Sequence, residues 1–246
     1  MVRIALVTGG IGGIGTATCT ALAAQGRRVV AIYRPGTEDR ATAWQRTQKE
    51  YGYDVAVYPA DVADFASCRD LVERVQRDLG PVEILVNNAG ITRDSSLKKM
   101  TLDDWLAVIN SDLNSVFNMT RQVFDGMLAH GWGRIVNISS VNGQKGQFGQ
   151  TNYSAAKAGM HGFTKAAARE GAAKGVTVNT ISPGYVDTAM VAKVREDVRQ
   201  QIIAQIPVGR FGTPGDVARA VAFLTDDEAG YITGANFSIN GGLHMH

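Results

Sequence analysis

A strand that runs straight into a cluster of glycines, and from there into a helix, constrains this chain more than any other feature. Residues 3–8, Arg-Ile-Ala-Leu-Val-Thr, read as a short buried strand, and Gly9-Gly10-Ile11-Gly12-Gly13-Ile14-Gly15 follows without a spacer. Thr16 to Gln25 then carries helical apolar spacing through Ala17, Ala21, Leu22 and Ala24, and Gly26 ends it. Strand, glycine loop, helix is the context of a phosphate-binding turn. Glycines let the backbone bend tightly and approach a pyrophosphate, and the helix N-terminus offers free N–H groups and the positive end of its dipole. The loop satisfies two spacings: Gly-x-Gly-x-x-Gly through Gly10, Gly12 and Gly15, and Thr-Gly-x-x-x-Gly-x-Gly through Thr8, Gly9, Gly13 and Gly15. A merely flexible glycine-rich turn is the alternative, and its place directly after the first strand argues against it.

The rest of the chain alternates strand and helix. Strand patterns fall at Arg28–Tyr33, Asp54–Tyr58, Glu83–Asn87, Arg134–Ser139, Thr177–Ile181 and Ala235–Ile239; helical patterns fall at Phe65–Leu79, Leu102–Met127, Tyr153–Ala173 and Asp216–Leu224. Such alternation predicts an α/β, doubly wound fold of Rossmann type, a parallel sheet covered on both faces. No repeat, linker or low-complexity tract divides the 246 residues, so one domain is expected, with both cofactor binding and catalysis in it. A hydrophobic content of 45% supports a large core. The net charge of +2 comes without a basic block, which speaks against nucleic-acid binding. No apolar run is long enough for a membrane span. The first strand begins within a few residues of Met1, leaving no room for a signal peptide, and a cytoplasmic protein is expected. Cys19 and Cys68 stand apart in helical patterns and read as reduced core thiols; His244 and His246 read as tail residues, and no metal site is expected.

The second strand ends in Arg34. A site for NAD places an acid about here, roughly 20 residues past the loop, to hold the ribose 2′-hydroxyl. No Asp or Glu occurs between Arg27 and Thr37. Arg34, joined by Arg40, suits a 2′-phosphate instead, which points to NADPH; for Arg40 a solvated loop position is an equal alternative. Further on, Tyr153 and Lys157 stand four apart, which on a helix puts them on one face. An ammonium beside a phenol stabilises the phenolate, so such a tyrosine becomes a usable proton donor and acceptor. With the Ser140 hydroxyl nearby, the trio suits carbonyl reduction or the reverse oxidation of an alcohol. A Tyr-x-x-x-Lys pair alone is weak evidence; a hydride source at the N-terminus is what gives it meaning.

Thr8-Gly9-x-x-x-Gly13-x-Gly15, Asn87-Asn88-Ala89-Gly90, Ser140, Tyr153-x-x-x-Lys157 and Pro183-Gly184 occur in this order along nearly the whole length. In order and spacing they resemble the short-chain dehydrogenase/reductase superfamily. The resemblance implies a seven-stranded sheet and a homotetramer. It implies that Gly9, Gly12, Gly13, Ile14 and Gly15 face the pyrophosphate, and that Asp61 and Val62 hold the adenine. Asn88, Ala89 and Gly90 would line the adenosine ribose. Pro183, Gly184, Val186 and Thr188 would surround the nicotinamide, whose ribose Lys157 would also bind beside Tyr153. It makes Ser140, Tyr153 and Lys157 catalytic. The family carries a fourth catalytic residue, an asparagine before Leu-x-x-Val/Ile-Phe. Here that segment is Asp112-Leu113-Asn114-Ser115-Val116-Phe117, so Asp112 takes its place. An ionised Asp112 near Tyr153 would oppose phenolate formation, with Lys157 compensating.

Within the superfamily, Gly90-Ile91-Thr92-Arg93-Asp94, Gly131-Trp132-Gly133-Arg134, the run from Ser139 to Tyr153 and the ending Asn240-Gly241-Gly242-x-His244-Met245 are similar to the acetoacetyl-CoA reductases of polyhydroxybutyrate biosynthesis. The sister family, the 3-oxoacyl-[acyl-carrier-protein] reductases, shares fold and chemistry and is the alternative. The likeness implies an acyl-CoA substrate met by Ser140, Phe148, Tyr185 and Arg195. From their placement alone, the amides of Gln147 and Gln150 are candidates to donate to a polar acyl chain, with Asp94 on the same rim. The amphipathic stretch from Thr188 to Gln205, within a segment at about 186–206, reads as a lid. Lys193, Arg195 and Arg199 on it could meet coenzyme A phosphates, but long exposed basic residues are usually just solvated, and only Arg195 resembles a family substrate contact. A non-catalytic NADPH-binding sensor is the reading from another class, and the intact Ser-Tyr-Lys set argues against it.

Overall fold

In the computed structural model, which describes residues 2–188 and 195–245, strands and helices alternate from the first residues onward. β1 (Ile4–Thr8), α1 (Gly13–Ala24), β2 (Arg28–Tyr33), α2 (Glu38–Glu50), β3 (Val55–Pro59), α3 (Phe65–Leu79) and β4 (Val82–Asn87) form the first half. α4 (Leu102–Val108), a π-helical segment (Ile109–Asn114), α5 (Ser115–His130), β5 (Gly133–Ile138), the single turn α6 (Asn142–Lys145), α7 (Thr151–Gly171) and β6 (Val176–Pro183) follow. α8 (Glu196–Ile203), α9 (Pro214–Leu224) and β7 (Asn236–Ile239) complete the chain. The strands make one sheet in the order β3-β2-β1-β4-β5-β6-β7, every pair parallel.

The sheet is buried on both faces because successive strand residues point to opposite sides and both sets are apolar. On β1, Ile4 and Leu6 join Leu71 and Val75 of α3 and Met119 and Val123 of α5. Ala5 and Val7 face the other way, toward Cys19 and Leu22 of α1 and Val217 and Val221 of α9. Strand order reverses between β1 and β4. Their connections leave in opposite directions and open a crevice at the carboxyl ends, the place where such sheets take ligands. Thr8 bridges that crevice: its Oγ1 accepts from the N–H groups of Asn88 at 2.9 Å and Ala89 at 3.0 Å. Asn88 Nδ2 donates back to Thr8 O at 2.9 Å.

Three features depart from the sequence expectation. The helix expected over Leu102–Met127 is divided by the π-helical turn at 109–114, which apolar periodicity cannot reveal. α2 had no apolar signature of its own. Its inward face is Ala41, Trp44 and the buried amide of Gln48, whose Oε1 accepts from Thr20 Oγ1 at 3.2 Å. In the segment expected to form a lid, α8 covers 196–203; residues 189–194, including Lys193, lie outside the described residues. Both cysteines are buried and unbonded to each other, and burial pushes the Cys68 thiol up to about 12. No described helix is long and apolar enough to cross a membrane.

Candidate active site

The glycine loop is shaped by close backbone approach. Gly9 has φ 62°, left-handed backbone that side chains rarely adopt. At Gly15 a Cβ would stand 2.2 Å from Gly9 O, so the start of α1 packs against the loop only without a side chain. Gly12 caps α1 without any side-chain hydrogen bond, and the first turn holds no acid. The orphan N–H groups of that turn and the positive dipole end are therefore left for an anion. Thr188 approaches from the far side: a Cβ on Gly13 would meet its Cγ2 at 2.8 Å. The segment after β6 thus approaches the loop at Thr188, and Val186 is bridged to Gly212. Pro183 O accepts from Val141 N–H at 2.8 Å, and Gly184 N–H donates to Ile239 O at 3.0 Å, which ties the Pro-Gly turn to the strand ends around it.

At the end of β2, Arg34 is exposed. Arg40 reaches across from α2, and its Nη2 donates to Ile11 O at 3.2 Å, so this guanidinium stands on the phosphate loop itself. Neither arginine is met there by an acid on β2. After β3, Asp61 Oδ1 accepts from Ala63 N–H at 3.0 Å. Val62 O accepts from Asn118 Nδ2 of α5 at 3.0 Å. Asn118 was not anticipated from sequence; its only signal was a polar residue at an inward helix position.

β5 ends at Ile138, and Ser139 and Ser140 follow at the crevice. Ser140 Oγ accepts from Asn142 N–H at 3.1 Å. Ser139 Oγ donates to Lys157 O at 2.8 Å and so pins α7 against the strand end. One turn along α7 from Tyr153, the Lys157 ammonium lies 5.4 Å from the tyrosine ring centroid and donates to Ile138 O at 3.0 Å. Lys157 is buried, and Asp112 is fully buried.

Asp112 sits on the π-helical turn, the local geometry that often marks functional sites. Its Oδ1 accepts from Ile91 N–H at 2.8 Å, and its Oδ2 lies 3.2 Å from Lys157 Nζ. That second contact is an ion pair, and among the described residues Oδ2 has no hydrogen-bond partner. Gly90 closes over the pair: a Cβ there would lie 2.6 Å from Oδ2 and 3.2 Å from Nζ. Burial raises the Asp112 carboxyl above its ordinary range, opposed by Lys157 and by the Ile91 N–H. Burial alone would lower Lys157, but the attraction of Asp112 and Tyr153 outweighs it, and the ammonium is held above its usual value. The carboxylate expected beside the tyrosine is thus placed against the lysine.

The rim opposite is made by the loops after β4 and β5. Gln150 Nε2 donates to Asp94 Oδ2 at 2.9 Å while its Oε1 accepts from Asn142 Nδ2 at 2.9 Å. One of its amide hydrogens is therefore committed to holding the two loops together, a task the sequence did not suggest. Gln147 accepts from Lys145 Nζ at 3.1 Å and is exposed. Phe148, a large apolar side chain at the same edge, is 89% exposed. Tyr185 is half-buried beside Phe211; burial and then the charge of Asp94 raise its phenol. Arg195 is exposed and bonded to Asp197, at the start of its own helix. Arg199 packs more firmly: its guanidinium lies 4.9 Å from the Phe211 ring centroid and 3.6 Å from Asp187.

A crevice with an anion-ready helix end leads, then, to a wall carrying a serine hydroxyl, a phenol and a buried ammonium. That arrangement suits delivery of a proton to a carbonyl oxygen next to a dinucleotide. A family model described as enoyl-(acyl carrier protein) reductase matches residues 9–244. The chain is 60% identical over 246 residues, the whole of both chains, to an acetoacetyl-CoA reductase of Allochromatium vinosum. It is 57% identical to an acetoacetyl-CoA reductase of Cupriavidus necator, over 99% of this chain and 98% of that one. A 3-oxoacyl-[acyl-carrier-protein] reductase of Escherichia coli is similar at 43%, over 99% of this chain and 98% of that one.

Proposed function

Because the chain belongs to the short-chain dehydrogenase/reductase superfamily, we propose that it reduces acetoacetyl-CoA to (R)-3-hydroxybutyryl-CoA with NADPH. What supports this reading is Lys157, buried 5.4 Å from the Tyr153 ring and 3.0 Å from Ile138 O at the end of β5, after which Ser140 follows, in a chain 60% identical to a protein named for that activity.

The glycine loop and the open N-terminus of α1 hold the pyrophosphate, and Arg34 and Arg40 hold the 2′-phosphate; that absence of an acid at the end of β2 is what favours NADPH over NADH. Bound there, the cofactor supplies the hydride. Ser140 and Tyr153 donate hydrogen bonds to the keto oxygen of the substrate and so draw electron density from its carbon. Tyr153 gives its proton to that oxygen as the alcohol forms, and its phenolate is stabilised by the ammonium of Lys157. The same ammonium is steadied by Ile138 O and Asp112. Phe148, Tyr185 and Gln147 border the acyl chain, with the Asp94–Gln150 bridge as its floor. By the same reading the enzyme works in the cytoplasm as a homotetramer, in polyhydroxybutyrate synthesis.

The 43% identical relative supports a second reading, a 3-oxoacyl-[acyl-carrier-protein] substrate. One experiment decides. NADPH absorbance is followed with acetoacetyl-CoA and with the matching acyl-carrier-protein thioester. A kcat/KM at least tenfold higher for the CoA thioester is expected. The reverse preference replaces the first reading with the second, and no oxidation of NADPH with either thioester removes both.

A further inference from the structure

In the chemistry above Asp112 only steadies Lys157, yet its charge is built into the wall of the site. Its carboxylate is fully buried, its Oδ1 is fixed by Ile91 N–H and its Oδ2 is aimed at Lys157 Nζ. Gly90 leaves the room that the contact needs. An asparagine at this position can still accept from Ile91 N–H through its oxygen, but its amide then faces the ammonium donor to donor. Accepting the backbone N–H therefore does not require an acid; only the contact with Lys157 does.

We propose that Asp112 is a positioning residue that acts through Lys157: its negative charge keeps the Tyr153–Lys157 pair fully protonated into alkaline solution, so that the phenol stays a proton donor for reduction. The inference rests on the reading of Tyr153 as the donor. The Asp112 carboxylate offsets part of the field that Lys157 alone would exert on the phenol, while the ammonium still stabilises the phenolate formed in the reaction. Four other ionisable groups near α7 have partners of their own. Asp94 is held by Gln150, Lys145 by Gln147, and Asp104 by Thr101. His161, one turn beyond Lys157, is bonded to Ser139 and Ser182. β6, which packs along the helix, carries no ionisable residue. Asp112 is thus the acid that faces Lys157, which is itself held charged by it.

The two groups titrate as a coupled pair, so the measured constant belongs to both. Removing a unit charge from beside the pair moves its titration by about one pH unit or more. The test compares the alkaline limb of kcat for keto reduction in wild type, Asp112→Asn and Asp112→Glu. The limb should move to lower pH by about one unit or more in Asp112→Asn and return toward wild type in Asp112→Glu. A purely structural role would lower rates without moving the limb. An independent readout needs no substrate: NMR titration of the free protein carrying isotope-labelled tyrosine and lysine, with signals assigned by Tyr153→Phe and Lys157→Arg. There the first proton of the pair should leave at lower pH in Asp112→Asn by the same shift. Asp112→Ser is the second neutral variant should the asparagine protein not fold. Superimposed titrations in a folded neutral variant, or a shift to higher pH, overturn the inference. Failure to reduce any thioester instead overturns the functional reading, while the NMR titration still decides the coupling.

Discussion

Thr8 holds the two sides of the crevice together, and replacing it with valine removes one oxygen while keeping the shape. That oxygen accepts from Asn88 N–H at 2.9 Å and Ala89 N–H at 3.0 Å. Thr8 itself is 2% exposed, so water reaches the two orphaned donors poorly. An unsatisfied buried donor costs about 1–3 kcal/mol. With both residues half-buried and some hydration regained, a total loss of about 2–4 kcal/mol is expected for Thr8→Val. Thr8→Ser, which keeps the oxygen, should lose less than half of that. The same bridge fixes the loop after β1 against the loop after β4, the two edges of the cofactor crevice. A shift of that geometry worth about 1.4 kcal/mol weakens NADPH binding tenfold. Urea unfolding measures the first effect, and quenching of protein fluorescence by NADPH measures the second. If Thr8→Val unfolds at the wild-type midpoint and binds NADPH as the wild type does, the bridge has no role in either, and the account of the crevice is wrong.

Tyr153→Phe should keep NADPH affinity while turnover falls by about two to four orders of magnitude, the range typical of a lost proton donor; wild-type turnover in that variant removes Tyr153 from the mechanism. Joint replacement Arg34→Ala and Arg40→Ala should weaken NADPH at least tenfold and leave NADH nearly unchanged, so equal losses for both cofactors in parallel titrations would show that neither guanidinium meets a 2′-phosphate. The Thr213 N–H and the Arg210 guanidinium hold the Asp216 carboxyl low, at about 2. Its folded value lies below the unfolded one, so its contribution is present above about pH 4 and is lost as pH falls through about 2. Unfolding of Asp216→Asn against wild type should therefore show its largest gap near neutral pH and a closing gap in acid; a gap independent of pH would assign the effect to shape alone.

Much of the fold was legible because its signals are local. The glycine loop declared itself in sequence since Gly9 and Gly15 are positions where a side chain meets backbone. All six later strands carried a pattern that could be read along the chain. α2 was not legible, because its inward face uses Gln48 and Trp44 in place of an aliphatic stripe. The π-helical turn around Asp112 was invisible for another reason: a change of one residue in backbone hydrogen bonding leaves composition and spacing almost untouched. Among the site residues, the pair at Tyr153 and Lys157 was visible as helical spacing. The engagement of Gln150 with Asp94 was not, since those two residues meet only when two separate loops fold onto one rim.

The sequence by itself determined the α/β alternation, the phosphate-binding turn, the lack of an acid after β2 and the Tyr153–Lys157 pair, because each is written in a span of a few residues or in a period of the chain. Only the tertiary structure decided what Asp112 touches. From sequence it stood beside the tyrosine as an unwelcome charge; in the fold it is turned toward the lysine, 3.2 Å from Nζ. That distance depends on how the π-helical turn, the loop after β4 and α7 come together, elements that no local pattern brings into register. Charge effects fall with distance and grow with burial, so the sign of a residue could be read from the chain, but its consequence only from the place where packing put it.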